Sequence, residues 1–275
     1  MRQYLLLMTF FFVLPSNSSD PAPFGTILGV TDCEVLVFSS DYESIDKKIY
    51  PDDKSFVSFF NEEFTGYKYQ CVELARRYWL VNFGVVFESI PMAYDIFGLM
   101  SARVVATNSS VPLSKFPNGC GSMPSKGSLL IWEAKGETFK DTGHVAVVVN
   151  AGPVFVDIVE QNVLDRVWTA NYSRRLPAAL DPESGKFTVT CTFEGSNILG
   201  WITIADESIL NAGECLRPQP AEAPELQRRA RQWLDRSDPA VQAWVEHHGE
   251  RLAGGEGGGG ACKDSGRDGP PPPPR

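Results

Sequence analysis

Histidine is scarce in this chain of 275 residues, which contains three, and cysteine is sparse, with six. Six cysteines are too few for a disulfide-stapled scaffold of this length. No CxxC or HExxH motif occurs, so the sequence does not support a zinc site. No apolar run approaches the roughly 20 residues that a membrane-spanning helix needs. These absences argue against a disulfide scaffold, a zinc protein and a membrane span.

Positive charge is also in deficit, because 25 lysine and arginine residues stand against 34 aspartate and glutamate residues. The net charge of −9 argues against a general nucleic-acid-binding protein, which needs a basic face. It is compatible with a cationic substrate, although many ordinary soluble proteins are this acidic. The 43% apolar and 21% charged residues that are present are typical of a globular protein with a sizeable core.

The two ends of the chain differ from its middle. Tyr4–Leu14 is an 11-residue apolar run followed by small polar residues, which is the pattern of a signal peptide over residues 1–19. A working signal peptide would make the protein secreted, and the alternative is a cytoplasmic protein with a mis-assigned start or an apolar cap. Residues 254–275 are rich in glycine and proline and predict a disordered tail. The folded domain is therefore predicted over residues 22–209.

The middle of the chain has a mixed α and β pattern. Apolar residues recur at helical spacing in CVELARRYWLVNFG, which begins at Cys71 and ends at Gly84, a natural helix stop. Segments rich in β-branched and aromatic residues predict later strands at Ser128–Glu133, His144–Val149, Val154–Glu160, Lys186–Phe193 and Ile198–Ile204. A helix followed by a run of antiparallel strands is an α+β arrangement.

Cys71 is the candidate nucleophile of this domain. It follows a glycine-containing loop and opens the predicted helix, whose aligned backbone dipoles lower the pKa of a thiol at that end. A single cysteine is more often a small buried apolar residue, and this is the interpretation for the other five. None of those five stands at a comparable helix start.

His144 is the one histidine of the predicted domain. A lone histidine at a strand start is more often structural than catalytic. If the strands on either side of residues 151–153 form a hairpin closed by those three residues, His144 lies directly opposite Glu160, within reach of a hydrogen bond. A one-residue slip would send Glu160 to the other face. Cysteine first on a helix and histidine second on a sheet is the arrangement of papain-like thiol hydrolases.

Several sequence blocks resemble one known family over about residues 22–204. The long blocks are YQCVELARRYW, FPNG, GSLLIWEAKGETFKDTGHVAVV and VEQNV, and the shorter ones are APFGTILG, SSDY, NFGVVF and ILGW. Together they resemble the CHAP-type amidase domain of bifunctional glutathionylspermidine synthetase/amidase and of the related trypanothione synthetases. The resemblance implies a papain-like α+β fold of the CHAP (NlpC/P60) type, with N-terminal helices bearing the cysteine and an antiparallel sheet bearing the histidine.

The resemblance also implies an activity, hydrolysis of the amide that joins the glycine carboxyl of glutathione to spermidine. Cys71 would be the nucleophile, His144 the base and Glu160 its orienting carboxylate, with a cysteinyl thioester as the intermediate. The implied partner is a small glutathione–polyamine conjugate. The implied chemistry requires no metal or organic cofactor.

Three further residues are candidates for substrate positioning. Asn162 would position the site or polarise the carbonyl, and its alternative role is that of a strand-end turn residue. Gln70 is a candidate on the oxyanion side, by analogy with papain-like enzymes. Arg76 lies in the matched ARR motif and would meet a glutathione carboxylate, unless it is a solvated helix charge.

The chain departs from the bifunctional family at both ends. Residues 210–253 resemble the beginning of its ATP-dependent synthetase domain, but no ligase fits in the residues that remain. The sequence therefore predicts hydrolysis without synthesis. A working signal peptide would instead suit a secreted CHAP amidase or endopeptidase that cuts peptidoglycan, and a third interpretation is a non-catalytic remnant that binds polyamine conjugates.

Overall fold

The structure, a computed structural model, describes residues 20–31 and 34–212. The predicted signal peptide, the predicted tail and most of the predicted linker lie outside the described residues. In chain order the elements are β1 (Ile27–Val30), β2 (Leu36–Phe38), β3 (Val57–Phe60), β4 (Glu63–Tyr67), α1 (Cys71–Phe83), β5 (Val85–Val86), β6 (Ser101–Val104), β7 (Ser110–Pro117), β8 (Leu129–Trp132), α2 (Gly136–Phe139), β9 (His144–Gly152), β10 (Phe155–Val159), β11 (Arg174–Leu180), β12 (Phe187–Val189), β13 (Ile198–Ile204) and α3 (Glu207–Ala212).

A nine-stranded antiparallel sheet organises the fold. Its strands lie in the order β12-β11-β10-β9-β8-β13-β7-β6-β5, while β1–β2 and β3–β4 form two separate antiparallel ribbons. The α+β class and the antiparallel sheet are thus confirmed, and a single 13-residue helix carries the cysteine. In the described part of the chain no helix has the length and apolar character needed to cross a bilayer.

Helix α1 has the limits that the sequence predicts. Gln70 precedes it in an extended conformation, and Gly84 follows it in the left-handed conformation with φ at 65°, which glycine adopts without strain. The N–H of Gly84 donates to the carbonyl of Leu80 at 2.9 Å, which closes the last turn. The helix therefore begins at the thiol and ends at a glycine stop.

The sheet carries an apolar core on each face, because side chains alternate along a strand. On β8, Leu129 and Ile131 belong to the cluster that contains Tyr78 of α1. Leu130 and Trp132 belong to a second cluster, which β10, β11 and β12 complete. Helix α1 thus packs on one face, and this packing brings its N-terminus to the start of β9.

The turn before β9 places the histidine. Gly143 has φ at 61°, and a Cβ atom on it would lie 2.6 Å from the carbonyl oxygen of Trp132. Only glycine fits this close approach of two backbone segments. The N–H of Gly143 donates to the carbonyl of Phe139 at 2.9 Å, so the turn is closed directly before His144.

Four strands of the large sheet, β5, β6, β7 and β11, lie outside the predicted strand segments. Strand β7 contains Pro112 and Pro117, and β11 contains Pro177. Proline removes a donor from a strand ladder, so sequence rules disfavour strands at these places. Strand β11 nevertheless pairs with β10, where Arg174 lies opposite Ile158.

Candidate active site

Cys71 is the first residue of α1, and its side chain is buried. Burial alone would raise the pKa of the thiol, but the charge and the hydrogen bond of His144 lower it. The backbone N–H groups of Val145 and Val72 lower it further. The thiol pKa therefore lies below its ordinary value, which favours the thiolate.

His144 is the first residue of β9 and lies between the thiol and Glu160. Its Nε2 lies 2.9 Å from Oε2 of Glu160, which leaves Nδ1 for the hydrogen bond to Cys71. The imidazole stacks on Phe139, with centroids 4.9 Å apart and planes 5° apart, and packs against Trp132 at 5.2 Å. The aromatic contacts fix the plane of the ring, and the two hydrogen bonds fix its rotation.

The surroundings of the imidazole favour its protonated form. Burial lowers the pKa of His144, but the charge and hydrogen bond of Cys71 and the contact with Glu160 raise it to about 9. Together with the lowered thiol pKa, this favours a thiolate–imidazolium pair. Such a pair supplies a nucleophile and a proton donor at the same place.

Glu160 follows β10 and is buried, with 2% of its surface exposed. Its Oε2 accepts a hydrogen bond from Nη2 of Arg174 at 2.9 Å, and its Oε1 accepts one from Nε of the same residue. The hydroxyl of Ser173 donates to Oε1 at 3.4 Å. Burial would raise the pKa of Glu160, but Arg174 and His144 together lower it to about 2. The imidazole is therefore oriented by an ionised carboxylate.

The register that the sequence predicts for the β9–β10 hairpin is wrong, although the contact it predicts is present. The turn has two residues instead of three, and a bulge interrupts the pairing, so that Val159 lies opposite Val147. Continued by one residue, this register places Glu160 opposite Ala146 and not opposite His144. The net shift of two residues keeps both side chains on one face, and they meet diagonally.

Gln70 and Asn162 lie together beside the thiol. Nδ2 of Asn162 donates to Oε1 of Gln70 at 2.9 Å, and Nε2 of Gln70 donates to the hydroxyl of Tyr42 at 2.7 Å. That hydroxyl donates to the carbonyl of Lys68 at 2.6 Å, and the hydroxyl of Ser40 donates to Oδ1 of Asn162 at 3.0 Å. This series of hydrogen bonds fixes the orientation of the Gln70 amide. Ser40 and Tyr42 lie in the SSDY motif, for which the sequence predicts no role.

Arg76 is a buried residue, 4% exposed, and not a solvated helix charge. Its Nη2 donates to the carbonyl of Phe64 at 2.9 Å, and its Nη1 donates to the carbonyl of Phe87. Burial lowers the pKa of Arg76 to about 10, which still leaves the guanidinium charged at neutral pH. Among the described residues no carboxylate forms a hydrogen bond with it, so the charge is held in place by carbonyl oxygens.

A buried polar network behind the thiol is a further feature that the sequence does not predict. Glu73 and Arg77 form an ion pair with an Oε1–Nε distance of 2.7 Å, and their spacing of four residues on a helix could have indicated it. Nε2 of Gln161 donates to Oε2 of Glu73 at 3.1 Å and to the carbonyl of Gln70 at 3.2 Å. The network ties the first turn of α1 to the segment that follows β10.

A cavity of about 370 Å³ brings the predicted site residues together. Five of the six line it: Gln70, Cys71, Arg76, His144 and Asn162. Glu160 is not in the wall and lies behind the imidazole. A second cavity of about 860 Å³ shares Arg76, Ser89 and Ile90 with the first, so the two cavities adjoin at the buried guanidinium.

Comparison with known proteins identifies the domain. The family model of the CHAP domain matches residues 62–162, a stretch that contains Cys71, His144 and Glu160. The match runs from the β3–β4 connection to the residues just after β10. The chain therefore contains a CHAP domain, within an α+β fold whose helix carries the cysteine and whose sheet carries the histidine.

The chain is homologous over most of its length to named bifunctional enzymes. It is 38% identical over 240 residues to the bifunctional glutathionylspermidine synthetase/amidase of Escherichia coli (strain K12), across 85% of this chain and 39% of that protein. The protein of the same name from Shigella flexneri matches to the same extent. Trypanothione synthetase of Crithidia fasciculata is 29% identical over 250 residues, across 85% of this chain and 37% of that protein. The resemblance found in the sequence is thereby confirmed, and the chain spans 39% of the length of the first two relatives.

Proposed function

We propose that this chain is a thiol amidase that hydrolyses the amide bond of glutathionylspermidine and releases glutathione and spermidine. The observation that carries the proposal is the hydrogen-bonded series from Cys71 through His144 to Glu160 at the wall of a cavity. The homology to proteins named glutathionylspermidine synthetase/amidase supports the choice of substrate. The proposal covers hydrolysis alone, without synthesis of the conjugate.

In the first half of the reaction, the thiolate of Cys71 attacks the carbonyl carbon of the glycyl–spermidine amide. A C–S bond forms, and the carbonyl oxygen takes up the negative charge. The C–N bond then breaks as the proton of the His144 imidazolium passes to the departing nitrogen. Spermidine leaves as an amine, and a glutathionyl thioester remains on Cys71. The raised pKa of His144 supports this step, because the ring holds that proton at neutral pH.

In the second half, neutral His144 accepts a proton from a water molecule whose oxygen attacks the thioester carbonyl. The C–S bond breaks, Cys71 leaves as the thiolate, and glutathione departs after its new glycine carboxyl group releases the second proton of the water to solvent. The proton stays on His144, which restores the ion pair. Glu160 orients the ring and stabilises its charged form in both halves. The scheme consumes only water and calls on neither ATP nor a cofactor.

We assign the oxyanion that develops on the substrate carbonyl to the part of the cavity beside Cys71 and Gln70. The backbone N–H of Cys71 lies at the start of α1, where helical N–H groups lack partners within the helix. Nδ2 of Asn162 donates a hydrogen bond to Oε1 of Gln70, so Nε2 of Gln70 is directed away from Asn162. One N–H of that nitrogen donates to Tyr42, and we assign the second to the oxyanion.

Arg76 is assigned to a carboxylate of the glutathione half. Each Nη atom carries two hydrogens, and one from each is taken by the carbonyls of Phe64 and Phe87. The remaining donors lie on a buried guanidinium that lines the cavity. An ion pair with a substrate carboxylate is stronger in such a site than in water.

Turnover of glutathionylspermidine by the full chain under reducing conditions, followed by mass spectrometry, tests the proposal. We expect the wild type to release glutathione and spermidine in equal amounts, and Cys71→Ala to release neither. Cys120→Ala is a matched control, because Cys120 is exposed and lies outside the cavity. A folded wild type that leaves the conjugate intact contradicts the proposed substrate.

Two parallel measurements separate the other interpretations. If the wild type, but not Cys71→Ala, exposes new amino groups on peptidoglycan fragments, the substrate is peptidoglycan and not glutathionylspermidine. Cys71 would remain the nucleophile. Calorimetric binding of the conjugate without any turnover would identify a non-catalytic binding protein. We expect neither result.

A further inference from the structure

Arg174, the first residue of β11, contacts both oxygens of the buried Glu160 carboxylate. Its Nη2 lies 2.9 Å from Oε2, and its Nε contacts Oε1. Oε2 is also the atom that lies 2.9 Å from Nε2 of His144. One carboxylate oxygen therefore joins the guanidinium to the imidazole.

The guanidinium of Arg174 is itself held by its surroundings. Its Nη1 donates to the hydroxyl of Thr192 at 3.0 Å, and its central carbon lies 4.6 Å from the ring centroid of Phe193. Its backbone pairs with Ile158, two residues before the carboxylate. Its position is thus set by the sheet register and by packing against the segment after β12.

We propose that Arg174 is a positioning residue for the catalytic pair, because by holding both oxygens of Glu160 it fixes the orientation in which that carboxylate meets His144. The inference rests on the proposed function, since it assumes that His144 serves Cys71 as acid and base. Arg174 lies outside residues 62–162, which match the CHAP domain. The matched motifs therefore assign it no role.

The shape of the guanidinium matters here as well as its charge. A carboxylate held by one imidazole can still turn about its last side-chain torsion, for which preferences are broad. Two parallel hydrogen bonds from a planar guanidinium fix the plane of the carboxylate. Lysine has the same charge but cannot make both bonds, so Arg174→Lys separates charge from orientation.

The same two strands supply a matched control pair. Arg175, the next residue of β11, donates to the two carboxylate oxygens of Asp157 on β10 at 2.6 and 2.8 Å. Successive residues of a strand face opposite sides, so this pair points away from the imidazole. Arg175→Gln therefore removes an equivalent guanidinium without touching Glu160.

A double-mutant cycle tests whether Arg174 acts through Glu160. We expect Arg174→Gln to lower kcat by about 10-fold or more, as losses of orienting partners do elsewhere, and Arg174→Lys to recover only part of the loss. Arg175→Gln is expected to stay within about twofold of the wild type. In a Glu160→Gln background, Arg174→Gln should add little. An additive loss in the double variant, or an equal loss in Arg175→Gln, overturns the inference.

A second readout does not depend on the substrate. The rate at which iodoacetamide alkylates Cys71, followed on its peptide by mass spectrometry across pH, reports the thiolate that His144 stabilises. Among charged groups, Arg174 does most to lower the pKa of Glu160. Its loss lets Glu160 take a proton at higher pH, which weakens the imidazolium that stabilises the thiolate. The acid-side fall in the alkylation rate, which is the low-pH limb of the profile, should therefore move to higher pH. Arg175→Gln should leave that limb in place.

The other charged groups that line the cavity beside the imidazole stay unchanged in every variant; they are Glu73, Arg76, Glu137, Lys140 and Asp141. An unmoved limb in Arg174→Gln overturns the positioning role, whatever the substrate is. A moved limb without turnover of the conjugate supports the positioning role and rejects only the proposed substrate. If Arg174→Gln does not fold, Arg174→Lys carries both tests, with the same directions and smaller effects.

Discussion

The cavity has two sides that are built from different kinds of groups. On the imidazole side His144 lines the cavity, and Glu160 and Arg174 lie behind it, linked to it by ion pairs. The amide side consists of Tyr42, Gln70 and Asn162, which are linked by hydrogen bonds between neutral groups. The first side can hold and pass a proton. The second offers donors whose strength does not change with pH near neutrality.

Charges on the imidazole side alternate in sign. The thiolate of Cys71, the imidazolium of His144, the carboxylate of Glu160 and the guanidinium of Arg174 follow one another in space. Buried charges are tolerated when each has a partner of opposite sign, and removing one leaves its neighbours unpaired. Substitutions on the imidazole side should therefore change both rate and pH dependence, whereas those on the amide side should change rate alone.

Among substitutions that keep the Cys71 nucleophile, the largest effect is expected from Glu160→Gln. The variant loses the charge that orients His144 and leaves the imidazolium close to Arg174, so kcat should fall by about 10²–10⁴-fold. Steady-state turnover of glutathionylspermidine measures the loss, with thermal melting to check the fold. Asp157→Asn is the control, because Asp157 pairs with the neighbouring arginine of β11 and faces away from the ring. A near-wild-type rate in Glu160→Gln would remove the carboxylate from the mechanism.

Gln70→Ala probes the amide side. Loss of one oxyanion donor should lower kcat by about 10²–10³-fold without moving either limb of the pH–rate profile. Gln70→Glu, which keeps the size of the side chain but replaces the donor by a carboxylate, should lose at least as much. A shift of the high-pH limb in Gln70→Ala would mean that the amide side also controls the proton of His144, and the distinction between the two sides would fail.

The proton affinity of His144 gives the next prediction. Burial lowers its pKa, and Cys71 is the first of the groups that raise it again, to about 9. Activity should therefore fall above about pH 9, where the ring loses the proton that the departing amine needs. In Cys71→Ala the pKa of His144 should drop below that of the wild type. Histidine-selective NMR titration measures it, and His144→Gln assigns the resonance. An unchanged pKa would exclude the ion pair.

The same proton has a consequence for folding. The pKa of Cys71 is lowered and that of His144 is raised to about 9, so at neutral pH the folded pair holds one proton, as thiolate and imidazolium. The unfolded chain also holds one proton on these two residues between the ordinary pKa values of about 6.5 for histidine and about 8.5 for cysteine, as thiol and neutral imidazole. The contribution of this pair to stability should therefore be constant across that window and should fall below about pH 6.5, where the unfolded chain binds one proton more. Melting temperatures of the wild type and of Cys71→Ala, measured across this range, check the prediction, and a steady fall from about pH 6.5 to about pH 8.5 that Cys71→Ala abolishes would contradict the ion pair.

The parts of the site that are local in the chain could be predicted from the sequence. A helical pattern that opens at Cys71 and stops at Gly84 depends on neighbours a few residues apart, and the structure has the same limits. The β-branched run that begins at His144 is equally local. The contact with Glu160 could be predicted despite a wrong register, because an even shift keeps both side chains on one face.

The parts that depend on distant pairing could not be predicted. Strand β11 contains Pro177 and two alanines, which disfavour a strand, so nothing in the sequence brings Arg174 to Glu160. The place of β13 between β8 and β7 follows from packing of the whole sheet and not from strand order. Tyr42 reaches Gln70 across 28 positions of the chain, and no periodicity connects such groups.

Tyr42→Phe should give the smallest effect and tests the amide side most finely. Its hydroxyl accepts from Gln70 and donates to the carbonyl of Lys68, so its loss releases the amide that we assign to the oxyanion. A neutral hydrogen bond is worth about 1 kcal/mol, which corresponds to a fall in kcat of about fivefold. Burial raises the pKa of Tyr42, so the hydroxyl stays protonated and the pH profile should keep its shape. Tyr172→Phe, beside Arg175, is the control. A loss as large as that of Gln70→Ala would mean that Tyr42 itself contacts the substrate.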